Sequence, residues 1–224
     1  SIHQPAAMKR IMKVCGMRHP DNIQAVAAAG AQWMGFIFYA PSPRCLLRDP
    51  DEAEAVRRLI TSDRFRPKRV GVFVNQSVDE MMALATRFRL DYLQLHGHES
   101  PELCHALQKR GYSLIKAFAI ATAEDLLLTA DYADRADYFL FDTKCAGHGG
   151  SGQSFDWNLL SHYTGETPFL LSGGIRPESL PALKAFAHPP LAGYDLNSGF
   201  EVAPGEKDAA ILSTFITQNS SLHL

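Results

Sequence analysis

Short apolar runs recur along the chain at Ile11–Cys15, Trp33–Phe38, Arg69–Val74, Tyr92–Leu95, Leu114–Phe118, Tyr138–Phe141, Phe169–Leu171 and Ala192–Leu196. Most are nearly continuous in Val, Ile, Leu and Phe rather than alternating with polar residues. Strands covered on both faces of a parallel sheet read this way. The segments between them carry helical spacing instead. Ile23, Val26 and Ala27 share one face of Asp21–Ala29. Asp49-Pro50 reads as an N-cap followed by Pro at the first helical position, with Ala53, Val56 and Ile60 behind it. Ser77 opens a helix through Met81, Leu84 and Phe88, and Ser100-Pro101 another through Leu103 and Leu107. Thr122, Asp156 and Arg176-Pro177 read as further starts, and Gly205 precedes a last helix, Asp208–Ile216.

Eight strand-plus-helix units in 224 residues give 28 residues each, close to the smallest βα repeat. A parallel sheet with helices between its strands either closes into a barrel or stays open and doubly wound. Near-equal units, with no GxGxxG after the first strand, favour closure. The expectation is therefore an α/β fold, a single-domain (βα)8 TIM barrel over residues 8–224. Residues 1–7 read as an upstream extension or a cloning remnant, Met8 offering a natural start.

Composition narrows the function classes. Apolar residues make up 46% of the chain, which excludes a disordered or fibrous protein. Lys and Arg number 22 against 24 Asp and Glu, a net charge of −2, so a general nucleic-acid binder, usually basic, is not expected. No stretch of about 18 apolar residues suggests a membrane span. Cys15, Cys45, Cys104 and Cys145 show no CxxC spacing, so neither a metal site nor a disulfide framework is expected, and the spread fits free thiols in a reducing cytoplasm.

In such a barrel the chemistry gathers at the carboxyl ends of the strands. Cys15-Gly16 ends the first. The second runs into a stiff Pro41-Ser42-Pro43-Arg44 loop, the fourth into Gln94-Leu95-His96-Gly97, and the sixth into Asp142-Thr143-Lys144 and a glycine-rich Gly147–Gly152 loop. Ser172-Gly173-Gly174 follows the seventh, and Asp195 with Asn197-Ser198-Gly199 the eighth. Gly173-Gly174 allows close approach of backbone to a ligand, and Asn197-Ser198-Gly199 reads as the entrance to a short helix with free N–H groups. Together they suggest the phosphate site usual after strands seven and eight, although a Gly-Gly pair alone is also a tight turn. Cys15 and Asp142 suggest an acid/base pair, the thiol as base if its thiolate is stabilised and the carboxyl as acid if burial raises it. A cysteine in an apolar strand is also ordinary packing. Arg44 suits bidentate recognition of a carboxylate or is a solvated loop residue. Asp195 either orients substrate hydroxyls or caps the following turn. His96 is either a donor in the mouth or a structural histidine, and the Gly147–Gly152 loop has the small residues of a closing lid.

Read together, these stretches resemble the phosphoribosylanthranilate isomerase family of tryptophan biosynthesis. The likeness lies in Lys13-Val14-Cys15-Gly16, Gly35–Tyr39 with Ser42-Pro43-Arg44, Val70–Asn75, Leu93–Gly97, Phe141-Asp142-Thr143, Gly149–Trp157, Leu171–Ile175 and Asp195–Glu201 before Pro204-Gly205. It spans positions 13–205 in the family's order. Ser151 stands where Thr is common and Asn197 where Ser is common. The resemblance implies an Amadori rearrangement of phosphoribosylanthranilate, without a cofactor, in a cytoplasmic monomer or homodimer. It gives Asp142 the place of general acid and Cys15 that of general base. Arg44 takes the substrate carboxylate, Gly173, Gly174, Ser198 and Gly199 the phosphate, and Asp195, Gln94 and His96 the rest of the substrate contacts. A neighbouring phosphate-binding barrel enzyme, such as an indole-glycerol-phosphate synthase, would need a lysine acid, for which Lys116 is the one residue available. A non-catalytic phosphate-binding barrel is the third alternative.

Overall fold

A run of β-branched and aromatic residues too short for a helix and flanked by turn residues settles as a strand when both faces find apolar cover. A computed structural model describes residues 9–143 and 156–220. In it the apolar runs form β1 (Ile11–Val14), β2 (Trp33–Ile37), β3 (Lys68–Phe73), β4 (Tyr92–Leu95), β5 (Leu114–Ala119), β6 (Tyr138–Asp142), β7 (Phe169–Ser172) and β8 (Leu191–Leu196). Each pairs in parallel with the next, and β8 pairs with β1, so the sheet closes into an eight-stranded barrel. The boundary expected at Met8 and the Gly147–Gly152 loop lie outside the described residues.

Alternation along each strand divides the core. Outward residues such as Met34, Phe36, Phe73, Phe139, Phe141 and Phe169 pack under the helices. Inward residues Trp33, Val70, Ile115, Ala117, Leu140 and Leu170 fill the barrel. Trp33 stacks on Tyr92 at 4.6 Å and meets Tyr138 edge-on at 5.0 Å, closing the amino-terminal end with large rings. The carboxyl-terminal end is different. Asp142 pairs with Ser172, Ser172 with Asp195, and Asp195 with Lys13. These residues all point inward, so β6, β7, β8 and β1 set neighbouring polar side chains along the inner wall at the carboxyl-terminal end.

The helices expected after β1 to β4 are α1 (Pro20–Ala28), α2 (Pro50–Ile60), α3 (Val78–Phe88) and α4 (Pro101–Lys109). Their starts follow the predicted chemistry. The Asp49 carboxylate accepts from the N–H groups of Asp51 at 3.0 Å and Glu52 at 3.3 Å. Ser77 and Ser100 accept from Glu80 and Leu103. The segments opened by Thr122 and Asp156 are 3-10 rather than α-helical, spanning Ala123–Tyr132 and Trp157–His162. Their buried residues explain this: Leu126 and Thr129 in one, Trp157 and Leu160 in the other, lie three positions apart. That is the period of a three-residue turn. Arg176-Pro177 leads through a short 3-10 turn into α5 (Leu180–Ala185), and α6 (Ala209–Ser220) closes the described chain. An antiparallel hairpin, β9 (Glu201–Ala203) and β10 (Glu206–Lys207), was not anticipated; it stands beside the mouth of the barrel.

Candidate active site

The carboxyl-terminal strand ends and their loops enclose a cavity of about 340 Å³. Cys15, Arg44, Gln94, His96, Asp142, Gly173, Gly174, Asp195, Ser198 and Gly199 all line it. The structure therefore brings every predicted site residue to one place. Ile37, Tyr39, Val72, Val74 and Ile175 add apolar wall, suited to an aromatic group.

Cys15 follows β1 directly and is 4% exposed. Burial pushes its thiol above the usual range, against the pull of the Lys13 and Lys207 ammonium groups and with the push of Asp195. Burial therefore outweighs the two ammonium groups, and the surroundings within the protein do not by themselves stabilise the thiolate. Lys13 lies two residues earlier on the same inward face and is fully buried. Its Nζ donates to Asp195 Oδ1 at 2.9 Å. Burial opposes its charge, but Asp195 and Cys15 hold its pKa above the usual value. Ser172 Oγ donates to the other oxygen of Asp195 at 3.0 Å. Both oxygens of Asp195 are thus held inside the barrel, which overturns the reading of this residue as a turn cap.

Across the mouth, Asp142 ends β6 and its Oδ2 lies 3.3 Å from His96 Nε2. The other ring nitrogen of His96 faces Gln94 Nε2 at 2.9 Å. With the Gln94 amide as donor, the imidazole proton sits on Nε2 and points at the Asp142 carboxyl group. His96 therefore joins the site through Asp142 rather than standing as an isolated structural histidine. Arg44 is not a solvated loop residue. Its Nε donates to Glu201 Oε2 at 2.9 Å and its Nη2 to Oε1 at 2.5 Å, so one edge of the guanidinium is taken by the protein itself.

The loops after β7 and β8 converge. Gly173 and Gly174 have φ of 95° and 70°, which side chains rarely adopt, so this turn presents bare backbone. A Cβ on Gly199 would lie 2.1 Å from the Ile175 carbonyl oxygen, so the two loops touch there. Thr143 Oγ1 donates to the carbonyls of Ser172 and Gly173 at 2.8 and 3.1 Å, bracing the first loop. The expected short helix after Asn197 is a single 3-10 turn, Ser198–Phe200.

Several residues of the site carried no predicted role. Lys13 and Ser172 were legible only as polar positions at inward spacing in apolar strands. Glu201 and Lys207 sit on the unanticipated hairpin; Glu201 ends a stretch of the family likeness but was given no role, and Lys207 lies outside those stretches. Lys116 does not line the cavity; its ammonium is buried and donates to Glu99 at 3.2 Å and to the Gly97 carbonyl at 2.9 Å. It is not placed as a lysine acid. Among the described residues, no cluster of three or more His, Cys, Asp or Glu side chains could hold a metal ion, and no helix is long and apolar enough to cross a membrane.

Comparison with known proteins points to a single family. Residues 12–218 match the family model described as N-(5'phosphoribosyl)anthranilate (PRA) isomerase. An N-(5'-phosphoribosyl)anthranilate isomerase of Parabacteroides distasonis is 60% identical over 208 residues, 93% of this chain and 92% of the relative. The crystal structure of phosphoribosyl anthranilate isomerase from Thermotoga maritima superposes with a TM-score of 0.80 at 31% identity, covering 96% of this chain and 99% of that one. A phosphoribosyl anthranilate isomerase solved in complex with reduced 1-(o-carboxyphenylamino)-1-deoxyribulose 5-phosphate gives 0.77 at 28% identity, with coverage of 96% and 99%. A closed barrel with this cavity, matched over nearly its whole length by one family, is a member of that family: the chain belongs to the N-(5'-phosphoribosyl)anthranilate isomerases.

Proposed function

We propose that the protein converts N-(5-phosphoribosyl)anthranilate to 1-(2-carboxyphenylamino)-1-deoxyribulose 5-phosphate, using Asp142 as general acid and Cys15 as general base. The observation that carries the assignment is that a carboxyl from β6 and a thiol from β1 line one cavity together with the bare backbone of Gly173-Gly174 and Ser198-Gly199. Asp142 protonates the furanose ring oxygen as the bond to C1′ breaks, and the ring opens to a Schiff base. Cys15 takes the proton from C2′, and the electron pair moves into the C1′–C2′ bond to give an enolamine. Protonation at C1′ and loss of the C2′ hydroxyl proton give the ketone. Hydrogen moves within one molecule, so the balance calls for no redox partner.

The raised pKa of the thiol fits this order of events. A protonated Schiff base places a positive charge beside Cys15, and an opposite charge favours the thiolate. The base is then activated by the intermediate on which it acts, helped by Lys13 and Lys207. Arg44 receives the anthranilate carboxylate, the apolar wall the ring, and the loops after β7 and β8 the phosphate. Asp195 and Gln94 serve the ribose hydroxyls, and His96 holds Asp142. The same reading extends to a cytoplasmic monomer or homodimer that needs no further partner.

Phosphoribosylanthranilate is fluorescent, and its emission disappears on isomerisation. Purified protein should quench it catalytically, with product confirmed by mass and by reduction to the stable aminoalditol. No quenching at micromolar enzyme would reject the assignment and leave a phosphate-binding barrel.

A further inference from the structure

Glu201 opens β9 and is the carboxylate on which the mouth of the barrel converges. Its side chain is 6% exposed and accepts from Arg44 Nε and Nη2, from Lys207 Nζ at 2.8 Å and from the Gly205 N–H at 2.8 Å. Lys207 is itself fully buried, and its remaining contacts, the Gly16 carbonyl at 3.4 Å and Asn197 Oδ1 at 3.1 Å, are neutral. Two basic side chains thus converge on one carboxylate. The stem of Arg44 lies across Gly16, where a Cβ would come within 2.7 Å of Arg44 Cδ. The guanidinium is therefore held below by Gly16 and along its Nε edge by Glu201. Among the described residues no contact occupies Nη1, while Arg44 lines the cavity. A guanidinium is planar and rigid, so fixing one edge also fixes the plane and direction of the other.

We propose that Glu201 is a positioning residue that determines specificity: it aims the free edge of Arg44 at the substrate's aromatic carboxylate. This rests on the reading of Arg44 given above. A carboxylate entering the site pairs with a fork already oriented, so little ordering is left to oppose binding. Ligands that carry the phosphate without the aryl carboxylate draw nothing from this arrangement.

Two probes separate the contributions: reduced 1-(o-carboxyphenylamino)-1-deoxyribulose 5-phosphate, and ribulose 5-phosphate, which lacks the carboxylate. Glu201→Gln should weaken inhibition by the first about tenfold and by the second less than about twofold. In turnover, KM should rise by a larger factor than kcat falls. In the Arg44→Ala background, Glu201→Gln should add little, because the two residues act as a unit. Glu201→Asp keeps the charge but shortens the reach, and should give the same selective pattern at smaller size should the Gln variant not fold. Equal weakening of both probes would make Glu201 a general prop and overturn the proposal, as would no weakening of either. If Arg44→Ala leaves the first probe unweakened, it is the reading of Arg44 that fails, and this result is distinct from the other two.

Discussion

Replacing Lys13 by Met removes a cation from the barrel interior while keeping most of its volume. Lys13 is 0% exposed and Asp195 6%, and their contact is 2.9 Å. Without the ammonium, Asp195 retains only the Ser172 hydroxyl among its described hydrogen bonds. Removing one partner of a buried ion pair costs about 3–5 kcal/mol, because the survivor stays charged without compensation. Total stability is about 5–15 kcal/mol, so the loss is a large share of it. At about 2–4 °C per kcal/mol for a domain of this size, Tm should fall by about 6–20 °C. The catalytic consequence has the same origin. Lys13 opposes the burial that disfavours the Cys15 thiolate, so its loss should push the thiol further up and move the rising limb of kcat, which reports deprotonation of the base, to higher pH. Calorimetry on Lys13→Met, Asp195→Asn and the double variant measures the coupling directly. The double variant should recover much of the loss, since Asn brings no charge. A Lys13→Met protein melting within about 2 °C of wild type, or a double variant no more stable than Lys13→Met, would refute the argument.

Cys15→Ala and Asp142→Asn should each lower kcat by at least about 100-fold while leaving the far-ultraviolet spectrum unchanged; near-normal kcat in either removes that residue from its role. Arg44→Ala should act mainly on KM, and an unchanged KM would count against carboxylate binding there. Asp49→Ala deprives the Asp51 and Glu52 N–H groups of their acceptor and should cost about 1 kcal/mol of stability without altering KM, as read by chemical denaturation. Burial opposes ionisation of Glu201, but its bonds from Arg44 and Lys207 hold the carboxyl at about 2 against an ordinary 4.5. A depressed carboxyl stabilises the fold above its unfolded pKa and loses that contribution as pH falls through the folded value. The Tm advantage of wild type over Glu201→Gln should therefore be full above about pH 4.5 and vanish toward pH 2; a constant advantage across that range would contradict it.

The barrel was legible because its signals are local. Continuous apolar runs mark strands covered on both faces, and Asp49, Ser77 and Ser100 cap the helices that follow them as their side-chain chemistry predicts. Expectation failed where periodicity is ambiguous over a few residues: Ala123–Tyr132 and Trp157–His162 bury one residue in three and settle as 3-10 turns. The site residues were legible as polar positions at strand ends, a feature of the fold class, and their reading was sharpened by motif likeness.

What the chain determines by itself is the order of strands and turns and the identity of the groups delivered to the carboxyl-terminal rim. The partnerships were decided only by closure of the barrel. Lys13 meets Asp195 across 182 positions of sequence, and Arg44 meets Glu201 across 157. Burial, which sets whether Cys15 is a thiol or a thiolate, is likewise a property of the closed barrel. Propensity and capping act over a few residues, whereas desolvation and ion pairing depend on distances that exist only once β8 has paired with β1.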